Sequence, residues 1–117
     1  MLNLNHKKLD VWKLSINLIT EIYRLTRNFP KEELFGITNQ LRRASVSVTS
    51  NIAEGASRKS RIERKRFYEI SRSSLVEVDT QLEISSVLDY VTLKELDKTG
   101  EILNELFAKT TRLLENT

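Results

Sequence analysis

The sequence predicts an all-α protein, an antiparallel up-down-up-down four-helix bundle that self-associates. Three observations predict it. Glycine (three) and proline (one) are scarce in 117 residues, while Leu, Ile, Glu, Lys and Arg abound, a composition of long helices rather than of a turn-rich sheet protein. Apolar residues recur at three- and four-residue steps in four successive stretches, with no strand alternation, internal repeat or low-complexity segment. The connections between stretches are short and carry helix stop and start signals. One domain over residues 1–117 is expected, with helices at about 10–28, 31–55, 60–90 and 93–115 and a core that needs no staples.

In the first helix Val11, Leu14, Leu18, Ile22 and Leu25 form one stripe at helical spacing. Trp12, Ile16, Ile19 and Tyr23 form a second stripe beside it. The apolar arc is wider than one partner helix needs, and a patch of that kind left exposed usually marks an interface. Those four residues are therefore the candidate oligomer interface; the alternative is that Trp12 or Tyr23 covers a bundle edge. The pattern stops at Asn28-Phe29-Pro30, because proline bars the preceding residue from helical geometry.

Pro30 suits the first turn of a new helix, with Glu32 and Glu33 at the positive end of its dipole. That helix reads Leu34, Ile37, Leu41, Ala44, Val48 and Ile52. Its second half is small (Ala44, Ser45, Ser47, Ser50, Ala53) and is expected to be deeply buried, with Gly55 as a natural stop. Ser60 and Glu63 have the spacing of a capping box and open a third helix through Phe67, Ile70, Ser74, Val78, Leu82 and Ser85. Thr92 and Glu95 repeat the signal before Leu96, Leu103, Leu106, Phe107, Leu113 and Leu114. Gly100 lies inside this fourth helix and weakens it by up to ~1 kcal/mol relative to Ala.

The net charge of +3 is unevenly laid out. Residues 1–41 carry +2, residues 42–72 carry +6 and residues 73–117 carry −5. The stretch NIAEGASRKSRIERKRFYEI packs Arg58, Lys59, Arg61, Arg64, Lys65 and Arg66 into nine positions. Antiparallel topology puts residues 1–13, 54–66 and 105–117 at one end, with eleven basic and five acidic side chains. At ~100° per residue, Arg61, Lys65 and Arg72 share a stripe with Tyr68 beside them, while Phe67, Ile70, Ser74 and Val78 point the other way. Cations in a first helical turn oppose the macrodipole, and a bound phosphate would relieve that conflict.

Three readings of this pole follow. It is a solvated helix face; it docks nucleic acid or another polyanion through phosphate contacts and base stacking; or it meets an acidic protein partner. The nucleic-acid reading takes Arg58, Lys59, Arg61, Arg64, Lys65, Arg66 and Arg72 as phosphate contacts and Tyr68 as a stacking platform. Arg42 and Arg43 rank second, being mid-helix and suited to ion pairs between helices or subunits. Little sequence preference is expected of such contacts.

Recognisable catalytic chemistry is lacking. There is no cysteine, so no disulfide or thiolate site, and the one histidine, His6, falls in an N-terminus expected to fray. Paired Glu-x-x-His motifs of a di-iron bundle cannot be built, nor a Ser–His pair or glycine-rich phosphate loop. Asp79 and Glu83 are one turn apart and are read as solvent-facing acids; Glu54 is read as a structural ion-pair partner. Neither enzyme activity, a cofactor nor a bound metal is expected. No apolar h-region or run of the ~18 residues of a membrane span occurs, so a cytoplasmic protein without membrane contact is expected.

The run LDVWKLSINLITEIYRLTRNFPKEELFGITNQLRRASVSVTSNIAEGASR, followed by RFYEISRSSLVEVDTQLEIS, resembles the small four-helix-bundle proteins encoded within intervening sequences of bacterial 23S ribosomal RNA genes. The resemblance rests on Trp12, Phe29-Pro30, Glu33, Gly36, Gln40 to Ala44, Ser50 to Gly55, and Ser74-Leu75 with Glu77. It spans about residues 9–90, and the fourth helix is only generically similar. It implies a bundle that assembles into a ring, commonly a pentamer. The family is also similar to the accessory protein of diversity-generating retroelements, a basic pentameric barrel that binds nucleic acid and a reverse transcriptase. Here residues 73–117 are acidic, so basic residues are expected on one rim and the adjoining flank. The resulting expectation is a non-enzymatic, homo-oligomeric nucleic-acid-binding protein, most simply for RNA. The competing one is a protein–protein scaffold in which the ring itself is the functional object.

Overall fold

A computed structural model describes residues 1–117. It contains four α-helices and no strand: α1 (Asp10–Thr26), α2 (Ile37–Ser57), α3 (Arg61–Val87) and α4 (Asp97–Glu115), with single 3-10 turns at Asn5–Lys8 and Lys31–Glu33. The 27 residues of α3 rise ~40 Å and span most of the 44 Å long axis. No helix is long and apolar enough to cross a membrane.

Each helix packs on its two neighbours around a square, α1 on α2, α2 on α3, α3 on α4 and α4 on α1. Cross-helix contacts fix the directions. Ser15 pairs with Thr49 and Thr26 with Arg42, Val48 with Ser71, Arg72 with Thr111, and Glu21 with Lys98. Residue numbers run in opposite senses along α1 and α2 (15 with 49, 26 with 42), α2 and α3 (47 with 74, 48 with 71) and α3 and α4 (61 with 117, 72 with 111), so these neighbours are antiparallel and α4 is antiparallel to α1 in turn. The core is one cluster of 16 buried residues, with Leu18, Ile22, Leu41, Val48, Ile52, Leu75, Val78 and Leu106 fully enclosed. Each such Leu or Ile contributes roughly 1.5–3 kcal/mol of burial.

The closest pair is α2 with α3, as the small residues of α2 imply. Ser71 donates its hydroxyl to the Val48 carbonyl at 2.8 Å, and the Ser47 and Ser74 hydroxyls meet at 3.0 Å. A larger residue at the buried Ser71 or Ser74 would force the helices apart. Of the small set, Ala44 and Ser45 are buried, Ser47 and Ala53 half-buried, and Ser50 exposed.

Five boundaries differ from expectation. First, α1 ends at Thr26 rather than 28, its last turn unwinding ahead of Pro30. Second, Pro30 opens only a 3-10 turn, and α2 begins at Ile37 after Gly36. Third, Gly55 does not stop α2, which runs on to Ser57; Gly55 instead leaves space for the Tyr68 ring. Fourth, α3 ends at Val87 because Asp89 adopts φ 62°. The Tyr90 N–H then bonds Ser85 and the Asp89 N–H bonds Ser86, the paired bonds of a Schellman ending. The Thr92–Glu95 box forms, with the Thr92 N–H on Glu95 at 3.0 Å and the Glu95 N–H on Thr92 at 3.2 Å. Nevertheless α4 proper starts one turn later, at Asp97.

Candidate nucleic-acid interface

Arg58 is extended and Ser60 is the N-cap of α3, its hydroxyl accepting the Glu63 N–H at 3.3 Å. The turn between α2 and α3 is therefore only residues 58–60, and six cations crowd onto it and the first turns of α3. Three of the seven basic candidates have structural work. The Arg64 guanidinium donates to the carbonyls of Lys59 at 2.6 Å and Arg58 at 3.3 Å, buttressing the turn. Arg58 stacks on Phe67, 4.9 Å from the ring centre, and lies 3.8 Å from Glu54, the ion pair expected of that glutamate. Both partners are half-exposed, so the pair contributes little. Arg72 donates to the Thr111 hydroxyl at 2.9 Å and covers Phe107 at 4.4 Å, which pins α3 to α4.

The remaining four have little or no such work. Lys59 and Arg66 are exposed with no side-chain partner, and Lys65 is half-buried in a groove with Arg72, Ser73 and Leu114. Arg61 is exposed and reaches the main-chain oxygen of Thr117 at 2.7 Å. Among all seven, Arg58 alone is ion-paired. The first residues also join this end, since the Asn5–Lys8 turn packs on α2.

Tyr68 is a correction. It is not beside the arginines on the surface but 4 % exposed, and burial pushes its phenol above the ordinary range. Its ring fills the space that Gly55 leaves: a Cβ at Gly55 would lie 2.6 Å from Tyr68 Cε1. Tyr68 is thus a core residue and offers no stacking face. The inward face of α3 is rotated from expectation, for Ile70 is 39 % exposed. His6 is likewise buried rather than frayed, edge-on to Trp12 with ring centres 5.3 Å apart.

The four oligomer candidates divide. Trp12 packs on the core and Ile19 is half-buried. Ile16 and Tyr23 remain 38 % and 39 % exposed. Arg42 lies over the Tyr23 ring at 4.5 Å and donates to Thr26 at 2.9 Å, whereas Arg43 is exposed and in no ion pair. Periodicity missed the largest exposed apolar group of the folded part, Phe35 at 91 %. It also missed the outward stripe of Ile62, Val76, Ile84 and Val87 on α3. Their signal was available: apolar residues off the core phase of α3.

Fold and surface together define a small all-α bundle with a basic cap at one end, in which no three metal-ligating side chains cluster. The chain belongs to the family described as 23S rRNA-intervening sequence protein, which it matches over residues 7–112. That span includes α4, where the motif resemblance stopped near residue 90. The crystal structure of a protein of unknown function from the S23 ribosomal protein family of Bacteroides thetaiotaomicron has the same fold, with TM-score 0.81 at 19 % identity over 89 % of this chain and 97 % of that one. No curated protein matches the chain.

Proposed function

We propose that the protein is a non-enzymatic nucleic-acid-binding protein that assembles as a homo-oligomeric ring and docks phosphate backbones on its basic pole. One observation carries the reading: six cations share nine positions at one turn, and only Arg58 among them is neutralised by an acid. A fold stabilised by this crowding would pair those charges. Instead Lys59 and Arg66 stand in solvent without a side-chain partner, and the exposed Arg61 holds only a main-chain oxygen, at the dipole-positive end of α3, where an anion is favoured. Membership of a family named for 23S rRNA favours RNA as the polymer. With Tyr68 withdrawn into the core, recognition runs through phosphates alone, so sequence preference is weak.

Labelled structured RNA and duplex DNA, titrated with protein at ~50 mM salt, test this directly. Binding to RNA with little discrimination among sequences supports it. Absence of binding to both returns the pole to a solvated helix face or to an acidic protein partner.

A further inference from the structure

Phe35 is 91 % exposed, yet its turn is not loose. The Gly36 N–H bonds Glu33 at 2.9 Å, and Glu33 in turn accepts the Tyr90 hydroxyl at 2.8 Å. An aromatic ring is thus held out in water at the edge of an open groove of about 570 Å³. Tyr23, Leu34, Phe35 and Val46 supply its apolar lining, and Arg42 and Arg43 its charge. Neither arginine is in an ion pair.

Between α3 and α4 lies a second opening of about 310 Å³, lined by Leu75, Val76, Leu103 and Phe107. Gly100 faces this open space: a Cβ there would meet nothing within 4 Å. Asp79 is on its rim, with Glu83 one turn further on α3 and Glu101 next to Gly100. All three acids are exposed and unpaired.

We infer that these two surfaces are each other's partners on successive copies of this chain, Phe35 of one copy entering the Gly100 notch of the next. Charge complementarity selects the occupant. An apolar knob flanked by arginines fits an apolar notch with the Asp79 carboxylate on its rim, and this chain carries both. Because the knob belongs to the α1–α2 side and the notch to the α3–α4 groove, the contact is heterologous; it closes into a ring if the rotation permits and extends as a filament otherwise. The inference rests on the assembly proposed above and specifies its interface.

Native mass spectrometry and light scattering of the intact chain and of Phe35→Ala test it. So does oxidation of a mixture of two single variants that both keep Phe35, Asn39→Cys in the groove beside it and Asn104→Cys, one of them tagged, in a chain with no cysteine of its own. Asn104 also lines the notch. Phe35→Ala is expected to keep its helical circular dichroism and to weaken assembly about tenfold or more. The mixed disulfide is expected to form in preference to either homodimer. An oligomer indifferent to Phe35→Ala, with no mixed disulfide, overturns this interface and leaves assembly standing. A wild-type chain that is monomeric at every concentration overturns both.

Discussion

Tyr68 and Gly55 act as one unit, and neither is intelligible alone. A helical wheel places Tyr68 near Arg61, Lys65 and Arg72, because it knows angle but not the neighbour across the groove. The ring turns inward only because α2 lacks a side chain at Gly55. Gly55→Ala is therefore expected to cost ~1–3 kcal/mol by overpacking, read as a lower urea midpoint with unchanged slope. Glu21 is the other residue whose environment the sequence hides. It is 5 % exposed, bonded by Arg24 at 2.7 Å and faced by Lys98 at 3.8 Å. The Arg24 hydrogen bond, opposed by burial and aided by both positive charges, holds its carboxyl below the ordinary range. A depressed folded-state value gives stability that is complete above the ordinary carboxylate range and lost as pH falls through the depressed one. Glu21→Gln should then cost about 1–2 kcal/mol near neutrality. The gap from wild type should narrow below about pH 4, as urea unfolding at several pH values will report.

At the scale of elements, four helices and their order were legible because each carries a three- to four-residue apolar period. Ends were legible only where side chains make them. Ser60 and Thr92 announce caps, and both are used. The end of α3 was not legible, since its Schellman turn is formed by Asp89 in the left-handed region where glycine is the usual signal. Asp89→Gly should stabilise the protein by about 0.5–1 kcal/mol, with the helix content unchanged. Gly100 is the converse case: a helical glycine whose Cβ would meet open space. Gly100→Ala in a Phe35→Ala background, where the proposed assembly does not intervene, should raise stability by ~1 kcal/mol. A loss of stability there would mean that the gap beside Gly100 is filled in the folded protomer.

Across the whole molecule, the dominant feature is segregation of charge, which antiparallel topology converts into a pole. The bipolar layout was legible from counting residues, because it depends only on which termini share an end. Which cations stay free was not, since that depends on partners distant in sequence: Thr111 for Arg72 and Thr117 for Arg61, 39 and 56 residues away. Apolar surface shows the same division. The first helix advertised a surplus, but its Trp12 is spent on the core, and the more exposed Phe35 lies in a turn outside any period. The phosphate-docking claim is tested most directly by the salt dependence of RNA affinity, between ~50 and ~200 mM, for wild type and for Lys59→Gln/Arg61→Gln/Arg66→Gln. The expected result is a steep log–log slope that falls by about 2–3 in a variant of unchanged fold and oligomeric state. An equal slope in both proteins would contradict the claim and leave those cations as a solvated helix end.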